Sequence, residues 1–133
     1  MKMTQVFQGN RAIGVTPVKV SGGEIAALKA GDIVAVSGIT KGHGFQGVVK
    51  RHGFGGGPKT HGQKNRHRAP GSIGNTSPQR VIPGRRMAGH MGVVRRTIKN
   101  LTIVSIDAEK SILTLMGATP GPTHGKIVIA KAD

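Results

Sequence analysis

Apolar residues in this 133-residue chain gather into short runs near its two ends, and a long middle stretch lacks such runs. AIGVTPVKV, DIVAVSGI, TIKNLTIVSI, SILTLMG and KIVIA are rich in β-branched residues and bounded by Gly, Asp, Asn or Lys. That pattern predicts short strands. Asp107 to Lys110, between IVSI and SILTLM, predicts a hairpin turn, and Lys29-Ala30-Gly31-Asp32 a chain reversal. SGGEIAALKAG has room for one short helical turn, so helix content should be low. Inward positions change parity in each half, from Ile13 and Val15 to Val18 and Val20, and from Leu101 and Ile103 to Val104 and Ile106. A bulge or strong bend in each half accounts for this. Both halves end in Gly-x-Thr-x-Gly, at Gly38, Thr40 and Gly42 and again at Gly117, Thr119 and Gly121, matches short enough to arise by convergence. Two related halves facing each other would leave no exposed edge, so the expected fold is mainly β, a small closed six-stranded-type barrel.

The middle stretch, 42–92, breaks that pattern. Its 51 residues include 13 Gly and 4 Pro but only 9 Val, Ile, Leu, Met or Phe, against 28 of those types in the other 82 residues. Such a segment cannot offset its ordering entropy by burying itself. It reads as an extended arm inserted between two barrel parts, 1–41 and 93–133, ordering only against a partner. FQGVVKRHGF outbound and HMGVVRRTIK inbound could form a β-ribbon stem.

Charge identifies that partner. The chain carries 20 Lys and Arg against 5 Asp and Glu, a formal net charge of +15. The acids are Glu24, Asp32, Asp107, Glu109 and Asp133, so none lies between Asp32 and Asp107. The cations there are spaced among glycines: Lys41, Lys50, Arg51, Lys59, Lys64, Arg66, Arg68, Arg80, Arg85, Arg86, Arg95, Arg96 and Lys99. Ordinary solvated surfaces mix both signs. Gly lets main-chain amides approach phosphates, Arg offers a planar fork, and the absence of acids removes repulsion, which together suit a folded RNA. With no Trp or Tyr and only Phe7, Phe45 and Phe54, aromatic stacking cannot be the main mode. Recognition by shape and backbone is expected, with His52, His61, His67 and His90 adding polar contacts.

Other chemistry lacks its parts. Gly42-His43-Gly44-Phe45-Gln46-Gly47 fits G-x-G-x-x-G, but VVKRHGFGGG is a poor helix start and no acid follows to hold a ribose. Five of six His fall in or near the arm, yet without Cys or a nearby carboxylate, and amid cations, no metal is expected. Ser72 and Ser77 have no local acid to orient a base, so no catalytic residue is assigned. No cofactor, small-molecule substrate or obligate homo-oligomer is expected, nor a membrane span or secretion signal. The lack of Cys fits a reducing compartment.

Three strings are more specific: KAGDIVAVSGITKGHGFQGVVKRHGF, THGQKNRHRAPGSIGNTSPQRVIPGRRMAGHMG and LTIVSIDAEKSILTLMGATPGP. They resemble the universal large-subunit ribosomal protein L-three family, in its bacterial or organellar form, from about Lys29 to Ala130. KMTQVF resembles that family's first strand. The resemblance implies a barrel like those of translation factors, seated on large-subunit ribosomal RNA beside neighbouring ribosomal proteins. It places the protein in the cytoplasmic ribosome, or in an organellar matrix. The arm's tip would approach the peptidyl transferase centre, carried onto Gly71, Ser72, Ile73, Gly74, Asn75, Thr76, Ser77 and Pro78, with Arg66, Arg68, Arg80, Arg85 and Arg86 as phosphate anchors. The protein would support assembly and hold that RNA in place, while RNA performs the chemistry. Family members in bacteria often carry a Gln, a methylation site in some, just before the tip's Thr-Pro; here Asn75-Thr76-Ser77-Pro78 offers Thr76 instead, so that modification is not expected. The family also has about a hundred residues between its first strand and the KAGD turn, where this chain has only Gln8 to Leu28. Natural reduction and trimming both fit that gap. The competing functions are a non-specific RNA chaperone, a phosphate-cofactor enzyme, and a barrel trimmed of its function.

Overall fold

The computed structural model describes residues 2–21 and 28–131. The candidate helical turn in SGGEIAALKAG falls on 22–27, outside the described residues. The chain divides into two compact units, one made of Met1–Lys41 with Val93–Asp133 and the other of Gly42–Gly92.

The first unit is a six-stranded antiparallel sheet. Its strands are β1 (Thr4–Gln8), β2 (Arg11–Lys19), β3 (Ile33–Ile39), β6 (Arg95–Asp107), β7 (Ile112–Met116) and β8 (Ile127–Lys131), in the order β1-β2-β7-β6-β3-β8. Gly9 and Asn10 join β1 to β2, with Gly9 at φ +58 supplying the left-handed residue that a two-residue hairpin loop requires. At the β6–β7 turn, Lys110 N–H donates to Asp107 Oδ1 at 3.1 Å and Ser111 N–H to the Ala108 carbonyl at 3.3 Å, as the sequence predicts. The reversal before β3 is tied in the same way: Asp32 accepts from Lys29 N–H at 3.0 Å and pairs with Lys131 at 3.2 Å.

The core is Val34, Val36, Ile103, Leu113 and Leu115, with Val18, Val20, Leu28, Leu101, Ile106, Ile127 and Ile129 packed against it. β2 and β8 stand four places apart in the sheet, which in a flat sheet would separate them by roughly 19 Å. Both contribute to one cluster, so the sheet curls around it. β6 supplies two of the bends. Lys99 and Asn100, the latter at φ +60, occupy the ladder space opposite Ala35, and Val104 is the extra residue opposite β7. Each bulge shifts side-chain parity, which explains why Ile98, Leu101, Ile103 and Ile106 turn inward at unequal spacing. In β2 the ladder to β7 is continuous, and Val15 and Thr16 are buried side by side. The two Gly-x-Thr-x-Gly strings also differ in backbone: Gly117 and Gly121 have positive φ, whereas Gly38 lies within β3.

The closed barrel is corrected. Six strands form, but among the described residues no ladder joins the two ends of the order. A cleft of about 840 Å³ lies between the second half of β2 and β8, lined by Pro17, Val18, Ile127 and Ile129. Val20 N–H bonds the carbonyl of Ser111, just before β7, and the Gly14 carbonyl accepts from Gly117, just after it, so even-numbered residues of β2 address β7 and odd-numbered ones the other side. Pro17 falls on that other side, where it offers no N–H, so continued pairing there is interrupted.

In the second unit the sequence-predicted ribbon stem is also corrected. Only β4 (Phe45–Gln46) and β5 (Gly89–His90) pair, and the outbound residues after them form a helix, α1 (Val48–His52). Gly47 at its start and Gly53 at φ +72 at its end bracket it, and Lys50, Arg51 and His52 sit in its last turn, where cations suit the carbonyl end. The inbound RRTIK belongs to β6, paired with β3 in the first unit.

Candidate nucleic-acid interface

Within the first unit, Thr40 N–H donates to the Val94 carbonyl at 2.9 Å, and Val93 N–H to Thr40 at 3.3 Å. The chain therefore leaves this unit and returns to it at adjacent points. Lys41, Arg95, Arg96 and Lys99 are exposed around this exit and along the start of β6, with Lys99 carried on a bulge.

Among its described residues the Gly42–Gly92 unit buries one large hydrophobic residue, Val48, at 3% exposure. The rest is held by main-chain bonds and a few polar side chains. At its root His43 N–H donates to Met91 and Met91 N–H to Gly44, both at 2.9 Å, extending the β4–β5 pair. Arg51 Nη1 donates to the Met87 carbonyl at 2.7 Å, and His52 Nε2 lies 3.0 Å from the same oxygen. Both side chains are half-buried, so these two members of the sequence-derived cation and imidazole set bind the unit's own backbone.

Farther along, two passes of chain come together where only glycine fits. Gly57 N–H donates to the His67 carbonyl at 3.1 Å, and the His67 ring nitrogen Nδ1 is 2.8 Å from the Pro58 carbonyl. A Cβ on Gly56, which has φ +74, would stand 2.1 Å from the His67 oxygen. The glycines open an adjacent hollow of about 480 Å³, with Arg66, Gln63 and Pro70 on its wall.

Residues 71–80 are all exposed. Ser72 Oγ donates to the Gly74 carbonyl at 2.8 Å, Asn75 Oδ1 accepts from Thr76 N–H at 2.8 Å, and Arg85 reaches back to the Ser72 carbonyl. Ile73, Val81 and Ile82 stand outward near them, 43%, 44% and 58% exposed. Lys50, Lys59, Lys64, Arg66, Arg68, Arg80, Arg85 and Arg86 are exposed, as are His61 and His90. No acid lies in 42–92, so none of these cations is neutralised from within the unit. The arrangement offers polyanion contacts on a backbone that can approach phosphates closely, and it holds no nucleophile with an oriented base.

Sequence comparison gives the family. Residues 11–123 match the family model described as ribosomal protein L3. Among curated relatives, the large ribosomal subunit protein uL3 of Thioalkalivibrio sulfidiphilus is 50% identical over 107 residues, covering 80% of this chain and 50% of that protein. Its counterpart in Thermobifida fusca is 53% identical over 114 residues (84% and 53%), and that of Stenotrophomonas maltophilia 46% over 115 (84% and 53%). The chain thus spans about half the length of the curated relatives it matches. A match through both strand-forming ends and the acid-free stretch between them places this chain in the ribosomal protein L3 family.

Proposed function

We propose that this protein is a structural constituent of the large ribosomal subunit, binding its RNA chiefly through 42–92. The carrying observation is that unit's combination of eight exposed Lys and Arg, no acid and one buried large hydrophobic residue. A surface that buries so little of itself and repels no phosphate gains its order from a polyanion. Lys59, Lys64, Arg66, Arg68, Arg80 and Arg86 take phosphates, the glycine-walled hollow admits a sugar-phosphate turn, and Lys41, Arg95, Arg96 and Lys99 take the RNA at the point of exit. Arg51 and His52 act as positioning residues that fix the root of the arm, and Arg85 ties its tip while remaining open to phosphate. The exposed tip, Gly71 to Pro78, reaches toward the peptidyl transferase region and buttresses its RNA. The partners are large-subunit ribosomal RNA and adjacent ribosomal proteins, with no chemistry performed by the protein and the ribosome as its location. The relatives' names support this reading.

Competition binding tests it. Large-subunit ribosomal RNA should hold the chain against excess transfer RNA. Equal competition would make it a generic polycation and overturn the assignment.

A further inference from the structure

The β4–β5 ribbon has two unlike faces. On one, Arg51 lays its guanidinium over Gly89, where an added Cβ would come within 2.7 Å of Nη1, and Gln46 is half-buried. On the other, Phe45 stands directly opposite His90 in the ladder, and side chains of opposed residues leave the same face. Phe45 is 77% exposed, the most exposed large hydrophobic residue described, and His90 is exposed beside it. The ring therefore contributes almost nothing to packing, while the ladder and the His43–Met91 and Met91–Gly44 bonds fix its backbone. Directly opposed residues have Cβ atoms about 5 Å apart, so both side chains leave the ribbon within reach of one nucleotide.

We propose that Phe45 and His90 form a stacking platform for one unstacked base of a single-stranded RNA segment, the base lying on the Phe45 ring with His90 against its ribose or phosphate. Every base has a π face, so such a platform works without sequence readout. RNA suits it better than a protein partner. The ribbon neighbours are Gly44, Gly89 and His43 rather than an apolar surround, and the unit carries nine Lys and Arg with no acid. The proposal rests on the RNA-binding reading above and adds to it a contact that neutralises no phosphate.

The test binds the full chain and its Phe45→Ala, Phe45→Leu and Phe45→Tyr variants to large-subunit ribosomal RNA, followed by ultraviolet cross-linking and peptide mapping. Ala and Leu should each weaken binding roughly ten-fold, and Tyr should hold it. The salt slope should be unchanged in all three, and a nucleotide adduct should map to Phe45. Melting temperatures should match the wild type, because the ring packs on little. Wild-type binding by Phe45→Leu would show an apolar contact rather than stacking and overturn the platform, as would an adduct mapping only elsewhere. Preferential ribosomal RNA binding by the parent chain with no effect of any Phe45 variant would sink the platform alone. No preferential binding by the parent would sink the RNA reading with it.

Discussion

Replacing Arg66, Arg68, Arg80 and Arg86 together with Ala should flatten the salt dependence of RNA binding by a predictable amount. These four are exposed, whereas Arg51 and Arg85 donate to carbonyls of Met87 and Ser72, so removing those would alter the arm itself. Each phosphate neutralised contributes about 0.7 to 0.9 to the slope of log K against log salt. The ten cations assigned to RNA, six on the arm and Lys41, Arg95, Arg96 and Lys99 at its exit, give a slope of about −8, and the quadruple variant one of about −5. Between about 50 and 200 mM salt the wild type should then lose roughly 10⁵-fold in affinity and the variant only about a thousand-fold. Filter binding or fluorescence anisotropy with labelled large-subunit ribosomal RNA at five or six salt concentrations resolves that difference. A variant slope within about one unit of the wild type would show that these arginines contact no phosphate, and the interface would have to be sought elsewhere.

Other expectations follow from packing, titration and backbone geometry. Leu113→Ala removes a fully buried side chain from the core cluster and should cost about 2–5 kcal/mol in urea unfolding; a loss below about 1 kcal/mol would mean the sheet does not pack around that cluster. The Lys29 N–H and then the Lys131 ammonium hold the Asp32 carboxyl below the ordinary carboxylate range. A group whose folded pKa is depressed contributes stability above its unfolded pKa and loses it as pH falls through the folded one. Melts of wild type and Asp32→Asn, separated at neutral pH, should therefore converge as pH falls below the ordinary carboxylate range. Gly56→Ala should disrupt the chain crossing because its Cβ meets the His67 carbonyl, whereas Gly62→Ala, at φ +77 with nothing within 4 Å, adds backbone strain alone. Amide exchange at Gly57 should rise far more in the first variant than in the second. In the free protein, amides of 55–86 should exchange rapidly beside protected strands, with Gly57 the slowest among them; protection across that whole span without RNA would contradict its sparse burial.

The strands were legible because β-branched runs with turn residues at both ends leave little alternative, and the turns at Lys29 and Asp107 because a turn Asp can accept a nearby amide: Asp107 takes the one three residues on and Asp32 the one three residues back. The parity change expected between Ile103 and Ile106 marked one bulge of β6, but at Val104, which is the extra residue and not an inward one; the bulge at Lys99 and Asn100 was not read, and the bend expected in β2 is absent from its ladder to β7. Closure failed as an expectation because it turned on which edge of β2 Pro17 faces, and register alone decides that. The short helix α1 was missed because two valines and a basic triplet read as strand, although Gly47 and Gly53 bracket it. At the interface the cations were readable from charge alone. That Arg51 and His52 bind the Met87 carbonyl was not, since the contact joins segments 36 and 35 residues apart. Phe45 entered the sequence reading only as one of three aromatics too few for stacking to dominate, and its exposure on the β4–β5 ribbon is a matter of tertiary placement that sequence does not carry.

The pinch at Thr40, Val93 and Val94 bears on how quickly the protein folds. β3 and β6 share the most paired residues in the sheet, yet every bond between them closes a loop containing all 51 residues of the arm. Closure entropy grows as (3/2)RT ln n, so exchanging those residues for a five-residue turn would lower its cost by about 2 kcal/mol. The nucleus that joins the two halves is thus slow for topological reasons and not for want of apolar surface. On the proposed RNA-binding role, an RNA that gathers the arm early would shorten the effective loop, and maturation of the sheet and capture by that partner would become parts of one kinetic event.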